Sequence, residues 1–360
     1  MSTTLVDDYA TVSTSMRKAE SDSRAKFLSD VIKLAHSADG SQEAAVKLSD
    51  FMSNLSEEEL ADLTLQTSVA GPLAHLLSKL LHSNNSNVLL YTARTLKLMM
   101  RDDSSREGLN KAGVSKAIAG TLHGLVKSSL KDSASVSLST ETMKELYAAV
   151  QSLLFDTASA TEFASGGGLR VIGDTLNGLF LSNDVEKGSS RSVAKGKADP
   201  ELAAVVLASA CNALSFCDTS LAVYIHEMRG WIPAICETLL HSVVHDQDMT
   251  TFYAVCCLAN ATRDPGLTHA LRAANGAEAL DRHRHAGPKT SEVTAVALNR
   301  LQITSAGKRD TEKVWRFRWG GGKGLAKGRA LDVLGVIAFL FVVSAIAGII
   351  VLTVLHSTTF

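Results

Sequence analysis

The chain has 360 residues, 46% of them hydrophobic, with a formal net charge of −1, enough for one large domain or two ordinary ones. Five cysteines (Cys211, Cys217, Cys236, Cys256 and Cys257), odd in number and all inside apolar helical patterns, argue against a secreted disulfide framework. The first 30 residues carry Asp7, Asp8, Glu20 and Asp22 and no apolar core, which argues against a secretory signal and leaves the sequons at Asn54, Asn84 and Asn260 unused.

Residues 24 to 305 read as helix. Phe27, Val31, Leu34 and Ala35 recur at helical spacing. Ser56 to Glu59 reads as a capping box, and Asp199-Pro200 and Asp264-Pro265 as N-caps followed by an N1 proline. A longer pattern then repeats: a loop ending in Gly, an apolar helix, a polar gap, an Ala-rich apolar helix and a short helix. "SVAGPLAHLLSKLL" at 68 is followed by "NVLLYTARTLKLMM" at 87, and "GGGLRVIGDTLNGLF" at 166 by "ELAAVVLASACNALSFC" at 201. The boundary glycines are Gly71, Gly113, Gly168, Gly230 and Gly276. Polar insertions interrupt the pattern at 127–140 and 182–199. The second holds Ser189, Ser190 and Ser192 around Arg191, either a phosphorylatable switch or an inert insertion.

This paragraph of sequence resembles the armadillo repeat, a three-helix unit, over 67–302, with HEAT-like repeats as the near alternative. The resemblance implies an all-α, right-handed solenoid with one continuous core. Residues 1–66 are expected to form capping helices after a disordered leader. Armadillo proteins that grip extended peptides use an Asn near the middle of the third helix, in a pattern like A-L-x-N-L. Aligned on that pattern, the positions here are Leu98, Ser152, Phe216, Asn260 and Arg300. Only Asn260, in "CLANA", matches, so the resemblance implies a concave groove of mixed chemistry as the partner site and argues against nuclear-signal binding.

Val333 to Leu355 is an uncharged run, which as a helix reaches roughly 34 Å against a hydrocarbon core of roughly 30 Å. Its insertion is favourable by roughly 5–10 kcal/mol. Only His356 to Phe360 follow, so a single C-terminal transmembrane helix of the tail-anchored kind is expected, with 356–360 lumenal. Ser344 and Gly348 make a small-xxx-small pair at which two spans can associate as a homo-oligomer.

The stretch 303–332 is a basic, aromatic juxtamembrane linker. Residues 306–330 hold eight basic side chains against Asp310 and Glu312. Trp315, Arg316, Phe317, Arg318, Trp319, Lys323, Lys327 and Arg329 are expected at the lipid headgroups, so that 313–355 contacts membrane lipid. The basic side precedes the span and keeps the N-terminus cytosolic. "WRFRW" is read as an interface segment rather than a nucleic-acid arm. "GGGKG" at 320–324 lacks the spacing and the Ser or Thr of a phosphate loop.

No catalytic motif, cofactor motif or metal-ligand spacing occurs: His241 and His245, His283 and His285, and the adjacent Cys256 and Cys257 are read as core or surface residues. The expected function is therefore a non-enzymatic adaptor or scaffold that brings a cytosolic or membrane protein to a membrane, the endoplasmic reticulum before the outer mitochondrial membrane. The alternative is a membrane-shaping or lipid-contact protein acting through the linker and span.

Overall fold

The computed structural model describes residues 22–35, 37, 40–56, 59, 67–129, 136–181, 199–242, 248–302 and 314–316, and every regular element among them is helical. Helices α1 (22–35) and α2 (Gly40–Ser53) come first, then α3 (Thr67–Leu80) and α4 (Ser86–Met99). A three-helix unit then recurs. It comprises α5 (Asp103–Lys111), α6 (Val114–Ser129) and α7 (Val136–Leu153), and next α8 (Thr157–Ser165), α9 (Gly168–Phe180) and α10 (Pro200–Leu214). The third unit is α11 (Ile225–Arg229), α12 (Ile232–His241) and α13 (Met249–Ala261); the last is α14 (Pro265–Ala273), α15 (Gly276–Asp281) and α16 (Pro288–Gln302).

The caps explain why the short helices start where they do. Asp102, Asp156 and Asp264 each accept a hydrogen bond from the backbone N–H of the third residue that follows, Ser105, Ser159 and Leu267. Each satisfies a donor that an α-helix leaves open at its N-terminus. Asp199 and Asp264 cap helices with proline at the first turn, and Ser56 and Glu59 form the reciprocal box expected of them, at 2.7 and 3.2 Å.

In three of the four three-helix units the backbone turns sharply through a left-handed residue between the short helix and the next one; in the unit of α11 to α13 the joint, Gly230, is right-handed. Gly113, Gly167 and Asn275 occupy it, at φ of 76°, 81° and 54°. Glycine and asparagine tolerate that region best. The boundary glycines of the sequence pattern therefore play different parts: Gly71 lies within α3 and Gly230 caps α11 with φ of −66°. Gly113 is the joint itself, whereas Gly168 and Gly276 open α9 and α15, where a Cβ would collide with Phe163 and Leu271.

Packing follows from the repeat. The third helices stand side by side in the order α4, α7, α10, α13 and α16, with α2 ahead of them. The second helices α3, α6, α9, α12 and α15 form a parallel row behind. No unit buries its own apolar face, so the buried side chains merge into one cluster from Leu28 to Leu301. Helix α10 is buried along almost its whole length because it has neighbours on every side.

The C-terminal expectations fall largely elsewhere. The predicted span 333–355 and tail 356–360 lie outside the described residues, as do Phe317 to Arg329 of the linker, 130–135 of the first polar insertion, 182–198 of the second and the first 21 residues, while 136–140 of the first insertion open α7. Among the described residues no helix is long and apolar enough to cross a membrane.

One contact makes the packing testable. The Trp231 side chain is 1% exposed, and its indole lies over Gly173, where a Cβ would sit 2.7 Å from Nε1. Gly173→Ala must displace a rigid ring, and we expect a loss of about 1–3 kcal/mol in urea unfolding followed by tryptophan fluorescence. An unchanged midpoint would show that α9 and α12 are not packed as described.

Candidate functional site

The row of third helices presents one face of the solenoid, and its register is set by side chains that reach back one repeat. Asn212 Nδ2 on α10 donates to the carbonyl of Gln151 on α7 at 2.7 Å. Asn260 Nδ2 on α13 donates to the carbonyl of Cys211 on α10 at 3.0 Å. Arg300 Nη1 on α16 donates to the carbonyl of Ala259 on α13 at 3.1 Å. Ser152, Asn212, Asn260 and Arg300 thus share one position in successive repeats. Phe216, which the sequence alignment put there, lies one turn later, in the turn that follows α10.

A short segment of the same chain lies across this face. Trp315 N–H donates to Asn260 Oδ1 at 3.2 Å, and Asn260 Nδ2 donates to the Trp315 carbonyl at 2.9 Å. Asn260 is fully buried, so an unmet polar atom there is costly. One amide proton goes to Cys211, and the other proton and the oxygen go to the backbone of residue 315. The Arg300 guanidinium sits 5.8 Å from the centroid of the Trp315 ring. The Arg316 guanidinium sits 4.1 Å from the Phe216 ring, and its Nε donates to Ser215 Oγ at 2.8 Å.

The expected partner-binding residues separate accordingly. Phe216, Asn260 and Arg300 meet at this segment. Ser152 is buried on α7, and its hydroxyl has no hydrogen-bond partner among the described residues. Leu98 is half-buried on α4 and packs against the core. Trp315 and Arg316, expected at the lipid headgroups, are seated on the solenoid: Trp315 is half-buried against the core, and Arg316 is exposed with its head on Phe216. The physical reason is that a ring and a guanidinium find in Arg300, Phe216 and Ser215 the same kinds of contact that a membrane interface offers. Asn212, Ser215 and Cys211 were absent from the sequence-level set. The signal for Asn212 is that "ACNA" at 210 and "LANA" at 258 both place Asn between small residues.

Beneath Trp315 the floor is sulfur-rich. Cys211 Sγ lies 3.5 Å from the Trp315 carbonyl and 3.3 Å from Asn260 Nδ2. All five cysteines are buried and unbridged. Burial pushes the Cys217 and Cys236 thiols up to about 12 and raises Cys256 and Cys257 as well. Among the described residues no three His, Cys, Asp or Glu side chains are grouped to hold a metal ion.

Toward the N-terminal repeats the same row carries charge instead. Lys144 on α7 pairs with Glu141 at 2.8 Å and with Glu201 of α10 at 3.0 Å. Burial works against its charge, but the two carboxylates hold its pKa above the usual lysine range. Arg94 and Lys97 on α4 pair with Glu145 on α7. The pairs to Glu201 and Glu145 link neighbouring helices across the face.

No family model matches the chain, and no curated protein matches it. Its fold is matched among solved structures. A designed armadillo repeat protein is similar with a TM-score of 0.57 at 17% identity, over 76% of this chain and 99% of that one. A second designed armadillo repeat protein, solved in complex with the peptide (KR)4, gives 0.56 at 18% identity, over 76% and 99%. An engineered protein from a structural genomics consortium gives 0.55 at 21% identity, over 76% and 96%. The chain has an armadillo-like, all-helical repeat fold.

The seat of the segment predicts its own probe. Asn260→Ala removes both backbone contacts to residue 315. Losing two hydrogen bonds at about 0.7 kcal/mol net each corresponds to an opening about tenfold more frequent. We expect the Trp315 amide to exchange with deuterium about tenfold faster, and the Cys211 thiol to label faster with a thiol reagent. Unchanged rates at both positions would mean that residue 315 is not held there.

Proposed function

We propose that this protein is a scaffold whose solenoid face at α10, α13 and α16 binds an extended segment of a partner protein. The observation that carries this reading is the pair of hydrogen bonds, donated and accepted, between Asn260 and a single backbone residue. An amide side chain placed so recognises main chain in extended form, and the floor of Phe216 and Arg300 adds contacts for side chains. The designed armadillo protein in complex with (KR)4 supports a peptide ligand on this kind of fold.

We further propose that the apolar run 333–355 anchors the chain by its tail, with 1–332 on the cytosolic side, so that the scaffold acts as an adaptor at a membrane. The endoplasmic reticulum is the proposed site. The 23 uncharged residues of that run and the basic residues before it support this, and 317–332 then lies next to the lipid surface. Association through Ser344 and Gly348 is part of the same proposal.

The test is proximity labelling in cells from the N-terminus of the full chain, with membrane fractionation of the same samples. We expect the full chain to stay with membranes after alkaline extraction and a chain ending at 332 to be released. We expect some labelled neighbours to be lost in the Phe216→Ala/Asn260→Ala variant. If the shortened chain stays membrane-bound, the anchor is elsewhere; if the neighbour set ignores the double variant, partners bind another surface.

A further inference from the structure

Which ligand the site prefers can be read from the three residues that already occupy it. The contacts divide into two kinds. Those of Asn260 go to backbone and accept any extended residue. Those of Arg300, Phe216 and Ser215 go to side chains and discriminate. Arg300 faces an aromatic ring. Phe216 receives a flat cation, and Ser215 accepts from the Nε hydrogen of that cation, a donor that lysine does not possess. An aromatic residue followed directly by arginine satisfies all of them.

We propose that this groove is a binding site for an extended segment bearing an aromatic–arginine pair, and that Val314–Arg316 is its resident occupant, which a partner segment of the same chemistry displaces. The proposal rests on the scaffold reading above. Three residues make few contacts, so on its own such a tripeptide would bind weakly. Attachment to the same chain, shortly after Gln302, supplies a local concentration on the order of 1 mM. Against an intrinsic dissociation constant on the order of 100 μM, that weakens a competing segment by about tenfold. The resident is therefore a threshold: a partner segment succeeds if it brings further contacts. Two unmet groups lie farther along the same row. The Gln151 side-chain oxygen and the Ser152 hydroxyl are buried and have no hydrogen-bond partner among the described residues. The segment runs in their direction, since residue 315 meets α13 and α16 while residue 316 meets the end of α10.

The experiment uses the full-length chain in detergent and a fluorescein-labelled peptide, "EKVWRF", copied from residues 312–317. The double variant Trp315→Ala/Arg316→Ala removes the resident side chains and leaves every groove side chain in place. Fluorescence anisotropy should show the peptide binding this variant about tenfold more tightly than the wild type. Adding Phe216→Ala should abolish that gain, and a peptide carrying Arg316→Lys should bind markedly more weakly. In the wild type, excess peptide should speed deuterium exchange at Trp315, a readout that does not depend on any variant folding. Equal affinity of wild type and double variant would overturn the resident occupant. Equal binding of the lysine peptide would overturn the arginine preference. No binding to the double variant, with the variant folded, would overturn the aromatic–arginine site. None of these outcomes changes the neighbour set in cells, so the scaffold reading stands or falls on its own test.

Discussion

The structure depends on the way each third helix is tied to the one before it. The last turn of an α-helix leaves carbonyls without intrahelical partners. In this chain the next repeat supplies donors to that region: Asn212 to Gln151, Asn260 to Cys211 and Arg300 to Ala259. Apolar contact alone would allow neighbouring helices to slide, because one buried Ala or Leu resembles another. A directed bond at the same place in α10, α13 and α16 fixes the slide there. It also fixes the spacing of the polar groups on the exposed side of the row, so one set of atoms determines both the stacking and the shape of the groove.

That dual use accounts for the balance within Asn260. One amide hydrogen is committed to the stack, and the remaining donor and acceptor face the groove. A buried amide with free capacity is costly unless something extended or a water molecule meets it. Residue 315 meets it with backbone, which any residue could do, and the flanking side chains then decide which residue is held there. Asn212 has the same stacking bond, so its amide stands in the same place one repeat earlier. The charged part of the row, around Lys144 and Glu145, is different. There the carboxylates and ammonium groups are already matched with one another across α4, α7 and α10, and a ligand would have to compete with those pairs.

The fold was legible because its markers are local. Asp caps, N1 prolines and the Gly before the second helix each act within a few residues, and their recurrence shows a repeat even where the apolar letters have drifted. The left-handed joint was legible only to within one residue, since Gly113, Gly167 and Asn275 share a conformation but not a letter, and Gly168 was the more conspicuous letter. The site was legible in part. Asn260 stands among small residues and matches the pattern directly. In the repeat before it, the alignment settled on Phe216, because a shift of one helical turn leaves the apolar face almost unchanged and periodicity cannot detect it. Trp315 and Arg316 were legible as chemistry but not as place. An aromatic–basic pair suits a headgroup layer and a groove of Phe and Arg equally well, and only the closure of the chain over α10 and α13 distinguishes the two.

That closure also sets where the chain leaves the solenoid. The last described helix ends at Gln302, at the end of the described stack, yet residue 316 sits at the end of α10, two inner helices back. Everything after it starts from the interior of the face instead of from the edge. A body suspended from its rim swings freely, whereas one suspended from near its middle keeps a face turned toward its point of suspension. With the segment seated, a pull applied to the chain beyond residue 316 is taken by Asn260, Phe216 and Arg300 before it reaches Gln302 and the end of α16.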